Sequence, residues 1–259
     1  MITFSLFNQY KEIAHFCTDR KGGASMGNYA SFNLSPYSGD QPNDYAGNQA
    51  LLCHQLGITP EQLIIPYQTH GSEIREIDHS FIQLPNDEKS YALKGVDALF
   101  TRLPHVCIGV TTADCIPLLF YDPLQKVIAV AHAGWRGTCA RIAEKTLHKL
   151  TDVYGSNPAD VRVVIGPSIS AEVYEVGKEV VENFEMAGFD LPEIIIQKNH
   201  SIHLDLWKAN QQSLEKAGIT GEHIQVSGIC TYTEHERYFS ARRLGIKSGR
   251  MLSGVMLIG

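Results

Sequence analysis

Short apolar runs bounded by turn-forming residues alternate along this chain with longer stretches in which apolar residues recur at helical spacing. The short runs predict strands, and the longer stretches predict amphipathic helices. The predicted strands are 13–18, 63–67, 73–77, 97–100, 106–111, 116–121, 126–132, 161–165, 224–229 and 253–258. The predicted helices are 43–56, 139–150, 176–186 and 204–217, whereas 20–40 and 80–95 are predicted as a loop and an exposed polar excursion. This alternation predicts a mixed α/β fold, and the absence of repeats or linkers favours one domain over 1–259.

The clearest local pattern is a pair of apolar runs, 116–121 and 126–131, joined through Asp122 and Pro123. Turn residues between two short apolar runs are typical of a β-hairpin. Cys115 directly precedes the first strand and His132 follows the second, so both come out at the same end of the hairpin. The pattern therefore predicts that a thiol and an imidazole are neighbours.

His70 is a third candidate, because it lies in a turn between two predicted strands and is followed by Gly71. A catalytic zinc ion commonly has three protein ligands from cysteine, histidine or carboxylate and keeps a fourth position open. His70, Cys115 and His132 are a candidate set of this kind. No short ligand spacing joins them, so spacing alone favours the simpler interpretation of a buried cysteine and hydrogen-bonded histidines. The H-x-x-H of His200 and His203 is expected to be structural.

A glycine-rich turn follows His132, in which Gly134 and Gly137 bracket Trp135 and Arg136 before a predicted helix. Helix N-termini attract anions through free N–H groups, and the guanidinium of Arg136 matches a phosphate or carboxylate. The alternative is that the glycines permit close packing and Arg136 is a surface charge. Further along the chain, the pair Arg242 and Arg243 is a second candidate for phosphate, although paired arginines are commonly solvated.

Composition and charge narrow the class of protein without selecting one. Of 259 residues, 44% are hydrophobic and 19% are charged, and the formal net charge is -6. No run of basic residues suggests nucleic-acid binding, and no apolar run approaches the ~18 residues of a membrane helix. The six cysteines include no C-x-x-C pair and the first residues do not resemble a signal peptide, so we expect reduced thiols in the cytoplasm.

Five motifs together resemble those of a known family. They are THG at 69–71, ADCIPLLFYD at 113–122, AHAGWRG at 131–137, IGPSIS at 165–170 and FSARR at 239–243. The chain resembles, over nearly its whole length, the family first labelled multicopper polyphenol oxidoreductase, or laccase domain, and later reassigned as purine nucleoside phosphorylases. One departure is Asn48-Gln49, where the family usually has Asn-Arg.

The resemblance implies a fold and a function. The fold is a four-layer α/β/β/α sandwich with mixed sheets, and the site is a zinc ion held by His70, Cys115 and His132. The implied reaction is phosphorolysis of adenosine and inosine, with methylthioadenosine phosphorolysis and adenosine deamination also reported in the family. Zinc suits the deamination because it lowers the pKa of bound water to ~7. We expect Asp114 to orient a metal ligand by accepting a hydrogen bond from it. We expect Arg136, Arg242 and Arg243 to bind phosphate.

Three alternatives remain open from the sequence. A copper oxidase could use the same two histidines and cysteine, but the chain has no H-x-H pair and no methionine near Cys115 or His132. A cysteine hydrolase acting in peptidoglycan editing would use Cys115 as nucleophile and a histidine as base. A purely structural zinc site would need a fourth protein ligand, for which Cys230 is the obvious candidate. The sequence leaves the preferred nucleoside and the oligomeric state open.

Overall fold

A computed structural model describes all 259 residues of the chain. The strands are β1 (Ile13–Cys17), β2 (Leu63–Ile64), β3 (Glu73–Glu76), β4 (Val96–Thr101), β5 (Cys107–Thr112), β6 (Ile116–Asp122), β7 (Val127–Ala133), β8 (Arg162–Ile165), β9 (Glu175–Val176), β10 (Ile195–Lys198), β11 (Ser201–Leu204), β12 (Ile224–Val226) and β13 (Met251–Leu257). The α-helices are α1 (Ser5–Asn8), α2 (Pro42–Leu56), α3 (His79–Gln83), α4 (Asn86–Ala92), α5 (Trp135–Cys139), α6 (Ile142–Tyr154), α7 (Lys178–Met186), α8 (Leu191–Ile194), α9 (Leu206–Lys216) and α10 (Ala241–Leu244). No helix has both the length and the apolar composition needed to cross a membrane.

Two mixed sheets face each other and form the centre of the molecule. The larger sheet has the order β12-β8-β6-β7-β4-β3 and the smaller has the order β1-β13-β5-β2, with a separate β10-β11-β9 sheet at one side. A core of 25 buried residues fills the space between the two sheets. A second core joins the outer face of the larger sheet to α6, α7 and α9, and a third joins the smaller sheet to α2. The expected mixed four-layer α/β/β/α arrangement is confirmed.

The hairpin predicted at 116–132 is the central pair of the larger sheet. β6 and β7 are antiparallel, and every residue of both strands is buried. Their outer faces pack on α6, whose buried stripe includes Ile142, Leu147 and Leu150. Because the hairpin is covered on both faces, its ends are held in fixed positions within the core.

Two local predictions in the first hundred residues are wrong in their details. The run 63–67 is a strand only at Leu63–Ile64, and β2 lies in a different sheet from β3. The segment 80–95 is not an exposed excursion: it contains α4 and most of α3, and it buries Phe81 and Leu93 in the core between the sheets. Isolated apolar residues separated by polar ones gave this segment no clear periodicity, although each fills a place in the core.

The helix predicted at 139–150 is divided into two. α5 ends at Cys139, and α6 begins after Arg141, which has a left-handed backbone conformation with φ of 60°. A left-handed residue cannot continue an α-helix, so the apolar stripe runs across a break. Similarly, Val176 belongs to β9, and the following helix begins at Lys178.

Candidate functional site

The β6–β7 hairpin brings Cys115 and His132 to one end of the larger sheet. Pro117 pairs with His132 in the strand register, and Ile116 pairs with Ala133. Cys115 is the residue immediately before β6, and it therefore lies beside the end of β7. His132 is buried, and Cys115 is half-buried. The predicted proximity of these two side chains follows directly from the hairpin.

His70 completes a compact group of three potential metal ligands. One donor atom from each of His70, Cys115 and His132 lies within 4.8 Å of the others. The rings of His70 and His132 meet edge to face, with centroids 4.7 Å apart. His70 is exposed and has a φ of 62°, which is uncommon for a residue other than glycine. The surrounding turn must therefore be held in place by other contacts.

The carboxylate of Asp97 provides those contacts. The backbone N–H groups of Thr69, His70 and Gly71 all donate to it, at 3.1, 3.0 and 2.8 Å. The same carboxylate lies 2.8 Å from Nδ1 of His132. Because it accepts from the histidine on one side and from the His70 turn on the other, Asp97 fixes both histidines relative to each other. It also leaves Nε2 of His132 as the nitrogen free to act as a ligand.

Sequence reasoning overlooked Asp97 and expected Asp114 to support the ligands instead. Asp114 accepts hydrogen bonds from Oγ1 of Thr231 at 2.7 Å and from the backbone N–H of Arg242 at 2.7 Å. It therefore anchors the start of α10 and makes no hydrogen bond to a histidine ligand. A signal for Asp97 was present in the sequence, since it is the one charged residue in the buried strand Val96–Thr101, and a buried charge needs a partner.

The electrostatics of the group favour a thiolate next to an imidazolium in the metal-free protein. Burial by itself would raise the pKa of Cys115, but the charge and hydrogen bonding of His132, together with His70, lower it to about 6. Burial would likewise lower the pKa of His132, but Cys115 and Asp97 raise it to about 9. For Asp97, His132 and the turn N–H groups outweigh burial, so its pKa lies below the ordinary value. Metal ligands are used in their deprotonated form, so a thiolate near neutral pH is suited to binding a cation.

The glycines of the AHAGWRG motif serve close packing. A Cβ atom on Gly134 would lie 3.0 Å from Sγ of Cys115 and 3.2 Å from Cδ2 of His70. A Cβ atom on Gly137 would lie 3.1 Å from the carbonyl oxygen of Gly71. The helix that follows is only five residues long. Because Gly134 has no side chain, the turn before this helix packs closely against Cys115 and His70.

The three potential ligands open into a cavity of about 720 Å³. Arg136 and Arg242 line this cavity, as does Asp114. Four aromatic side chains line it too: Tyr37, Tyr67, Trp135 and Tyr174. Arg243 does not line it: its guanidinium lies over the ring of Tyr232, and its backbone N–H donates to Ser240. Consecutive residues at the start of α10 point in different directions, so the two neighbouring arginines separate.

Arg250 lines the cavity although sequence reasoning did not select it. Its guanidinium donates to the carbonyl oxygens of Ile246, Ser248 and Gly249, so it is engaged in holding the loop before β13. The backbone of Arg250 also pairs with Leu34 and with the side chain of Asn33. This arginine therefore shapes the wall of the cavity.

Two other predicted residues lie outside the site. The ring of His203 bonds to the carbonyl oxygen of Ala171 and to Ser201, which is the structural role expected of it. Cys230 accepts from the backbone N–H of Ser170 and does not belong to the metal-ligand group. The group of His70, Cys115 and His132 thus has no fourth protein ligand among the candidates.

A mixed α/β sandwich in which three potential metal ligands line a cavity is the arrangement expected of a metal-dependent enzyme. Residues 14–258 match the family model described as multi-copper polyphenol oxidoreductase laccase, and the chain belongs to that family. It is 45% identical over 259 residues to a purine nucleoside phosphorylase of Bacteroides thetaiotaomicron, covering 99% of this chain and 96% of the relative.

Two further relatives show how far the similarity extends. Adenosine deaminase RL5, from an unknown prokaryotic organism, is 40% identical, with 93% of this chain and 92% of the relative covered. The crystal structure of YlmD from Geobacillus stearothermophilus superposes with a TM-score of 0.90 at 31% identity, covering 97% of this chain and 94% of that one. The chain is therefore similar in sequence to proteins named for nucleoside chemistry and similar in fold to YlmD.

Proposed function

We propose that this protein is a zinc-dependent purine nucleoside phosphorylase that cleaves adenosine, inosine and S-methyl-5′-thioadenosine with phosphate, and that it also deaminates adenosine. The observation that carries the proposal is the group of His70, Cys115 and His132, which opens into a cavity lined by Arg136 and Arg242. The names of the relatives, purine nucleoside phosphorylase and adenosine deaminase, support the choice of substrates. The six free cysteines support a reducing compartment, for which we propose the cytoplasm.

The side chains present fit a catalytic zinc ion. Two histidines and one cysteine, without a fourth protein ligand, are a donor set that zinc accepts while keeping one position for substrate or water. Asp97 orients His132 in the way that carboxylates orient histidine ligands in zinc sites. When bound, the zinc ion supplies a Lewis acid at the floor of the cavity.

Zinc fits better than copper. A multicopper oxidase needs several metal centres, and the structure contains one group of three or more potential ligands. A blue-copper site commonly has an axial methionine, and no methionine lines the cavity. The family description therefore does not determine the metal of this chain.

The phosphorolysis step requires an anion beside the sugar. A phosphate oxygen forms a bond to C1′ of the ribose, the bond from C1′ to N9 of the purine breaks, and its electron pair leaves with the base. The base takes up a proton from the acidic phosphate or from water. Arg136 and Arg242 are the exposed arginines of the wall, and they bind the phosphate and balance its charge as it approaches C1′.

The test combines metal analysis with chromatography of the products formed from adenosine, with and without phosphate. We expect about one zinc per chain, phosphate-dependent adenine, and phosphate-independent inosine. Cys115→Ala should lose the metal and both products while remaining folded, because an open catalytic site contributes more to chemistry than to folding. A metal-free Cys115→Ala protein with full turnover would remove zinc from the reaction.

Arg136→Ala separates phosphate binding from a structural role. Loss of one charge-assisted contact, worth ~1.5–3 kcal/mol, should raise the phosphate concentration needed for phosphorolysis and should affect deamination much less. Lys247→Ala, at an exposed residue of the neighbouring loop, is the matched control. An equal loss of both activities in Arg136→Ala means that Arg136 supports the turn after His132 instead.

A second candidate function is favoured by one observation. Asp97, His132 and Cys115 have the acid–base–nucleophile order of a cysteine hydrolase, and such an enzyme could cleave an amide in peptidoglycan. The two functions respond in opposite ways to zinc, since a cysteine hydrolase is inhibited when zinc occupies its thiolate. Activity of the metal-free protein on peptidoglycan fragments, abolished by added zinc, would favour the hydrolase.

A further inference from the structure

Aromatic side chains on the wall of the cavity have two kinds of surroundings. Trp135 and Tyr174 each lie beneath a guanidinium, with Arg136 at 4.3 Å and Arg242 at 5.2 Å from the respective ring centroid. The guanidinium of Arg242 also donates to the carbonyl oxygen next to Tyr174, which fixes it above that ring. This part of the wall is therefore cationic, and its aromatic faces are partly covered.

Tyr37 and Tyr67 have surroundings of the second kind, in which no guanidinium covers the ring. Their rings meet edge to face, with centroids 4.8 Å apart and planes at 80°, and no arginine lies over either ring. Burial and then the neighbouring Tyr67 raise the pKa of Tyr37. Burial also raises the pKa of Tyr174, but its charged neighbours include Cys115 and Arg242. The tyrosine pair thus differs from Trp135 and Tyr174 in having no guanidinium over its rings.

The tyrosine pair is fixed in position and open to the cavity. The backbone N–H of Tyr67 donates to Leu93, and its carbonyl oxygen accepts from Gly95. The backbone N–H of Tyr37 donates to Oγ of Ser35. Tyr37 is 46% exposed and Tyr67 is 41% exposed, and both line the cavity. Aromatic surface held ready in this way is suited to stacking on a flat ring.

The two substrates of the proposed reaction, a purine nucleoside and phosphate, match these two parts of the wall. The phosphate must approach C1′ from the side opposite the departing base, so the base and the anion occupy different parts of the cavity. A guanidinium attracts the phosphate, whereas a flat purine ring stacks on the exposed face of an aromatic side chain. Resting on the function proposed above, we propose that Tyr37 and Tyr67 form the subsite for the purine base, with phosphate bound on the side of Arg136 and Arg242.

The subsite orients the substrate and accounts for its class. With the base against the tyrosine pair and the phosphate against the arginines, C1′ lies between the two parts of the wall. Stacking on a tyrosine requires a flat ring and no particular exocyclic group. The subsite therefore accepts adenosine, inosine and methylthioadenosine alike, because it contacts the flat ring of the base rather than its substituents.

The test is binding of inosine, which has no amino group to lose and needs phosphate to react, to the zinc-loaded protein without phosphate, by titration calorimetry. Kinetics in which inosine and phosphate are varied separately then follow. Tyr67→Ala and Tyr37→Ala should each weaken inosine binding by on the order of 10-fold, the loss expected for one stacking contact, and should leave the KM for phosphate unchanged. Tyr67→Phe and Tyr37→Phe should retain wild-type binding, because the ring is kept. Tyr91→Ala is the control, since Tyr91 is 82% exposed and lines a different surface groove.

The outcomes separate this proposal from the function on which it rests. Wild-type protein that binds inosine through Tyr67 but forms no hypoxanthine with phosphate contradicts the phosphorylase and retains the subsite. Phosphate-dependent turnover that is unaffected in both alanine variants contradicts the subsite and retains the phosphorylase. A KM for phosphate that rises together with that for inosine also overturns the proposed orientation, and wild-type protein that neither binds nor turns over inosine overturns both. Circular dichroism of each variant identifies misfolding, and the phenylalanine variants then decide whether binding depends on the ring or on the hydroxyl group.

Discussion

At the scale of single residues, Asp97 is hydrogen-bonded to both histidines of the candidate metal site. Its carboxylate accepts from three consecutive turn residues and bonds to His132. Asp97→Asn places an NH₂ donor among groups that are themselves donors, and it removes the negative charge beside the imidazole. We expect zinc affinity to fall by about 10- to 100-fold, the usual effect of removing a residue that orients a metal ligand.

Competition with a chromogenic chelator measures this affinity without requiring turnover. Asp122→Asn is the matched control, because Asp122 is an equally buried carboxylate that caps the turn at the other end of the same hairpin. Unchanged zinc affinity in Asp97→Asn, or equal losses in both variants, would contradict a specific role for Asp97 in orienting the ligands.

The low pKa of Cys115 predicts a pH dependence of its reactivity. Only the thiolate reacts with iodoacetamide, so a thiol with a pKa of about 6 remains reactive at neutral pH and loses reactivity as the pH falls through 6. Cys139, whose pKa burial raises to about 11, should react only in alkaline solution. Mass spectrometry of the metal-free protein, alkylated briefly at a series of pH values, measures both residues in one sample. Zinc should protect Cys115 alone, and an inflection near pH 9 for Cys115 would show that the imidazole does not stabilise its thiolate.

At the scale of secondary-structure elements, α2 contains a glycine that it does not require. Gly47 lies within this helix, and a Cβ atom there would approach nothing closer than Ala24, at 3.8 Å. Gly47→Ala should therefore stabilise the protein by about 0.5–1 kcal/mol, because alanine reduces the conformational freedom of the unfolded chain. Gly57 ends the same helix with φ of 67°, so Gly57→Ala should lower the midpoint of thermal unfolding while Gly47→Ala raises it. A fall in both midpoints would show that α2 tolerates no added methyl group.

Elements differ in how well the sequence predicts them, and the reason is the range of their interactions. The hairpin was predictable because β6 and β7 are adjacent in sequence and their turn lies between them. The break between α5 and α6 was not, because the apolar stripe continues across Arg141 while the backbone does not. β2 and β3 are close in sequence but join different sheets, a distinction that depends on residues far along the chain.

The same limit applies to the site. The motifs were sufficient to select His70, Cys115 and His132, which the structure brings together. Asp97 was not selected, because its role depends on the pairing of β4 with β7 and on the turn at His70. The orientation of a side chain at a short helix also depends on tertiary packing, which is why Arg242 lines the cavity and Arg243 does not. The candidate metal ligands were therefore predictable from the sequence, whereas the residue that orients them was not.

At the scale of the whole molecule, the smaller sheet depends on a strand from the far end of the sequence. β13 lies between β1 and β5 and pairs with both. Deletion of 251–259 should therefore leave those two strands without a common partner and prevent folding, as measured by loss of cooperative thermal unfolding. Deletion of 258–259 alone, which removes two exposed residues beyond β13, is the control and should leave the transition in place. A cooperative transition in the longer deletion would mean that the larger sheet folds independently.

The position of β13 also has a consequence for synthesis on the ribosome. β1, β2 and β5 emerge early, and their exposed edges can pair with other chains until the strand that joins β1 to β5 is made. All three potential metal ligands have been translated by residue 132, long before that strand is available. The nascent chain therefore has a period in which it carries unpaired strand edges but no closed sheet. Wrong pairing with other chains is favoured in that period and ends only when the last strand has been made.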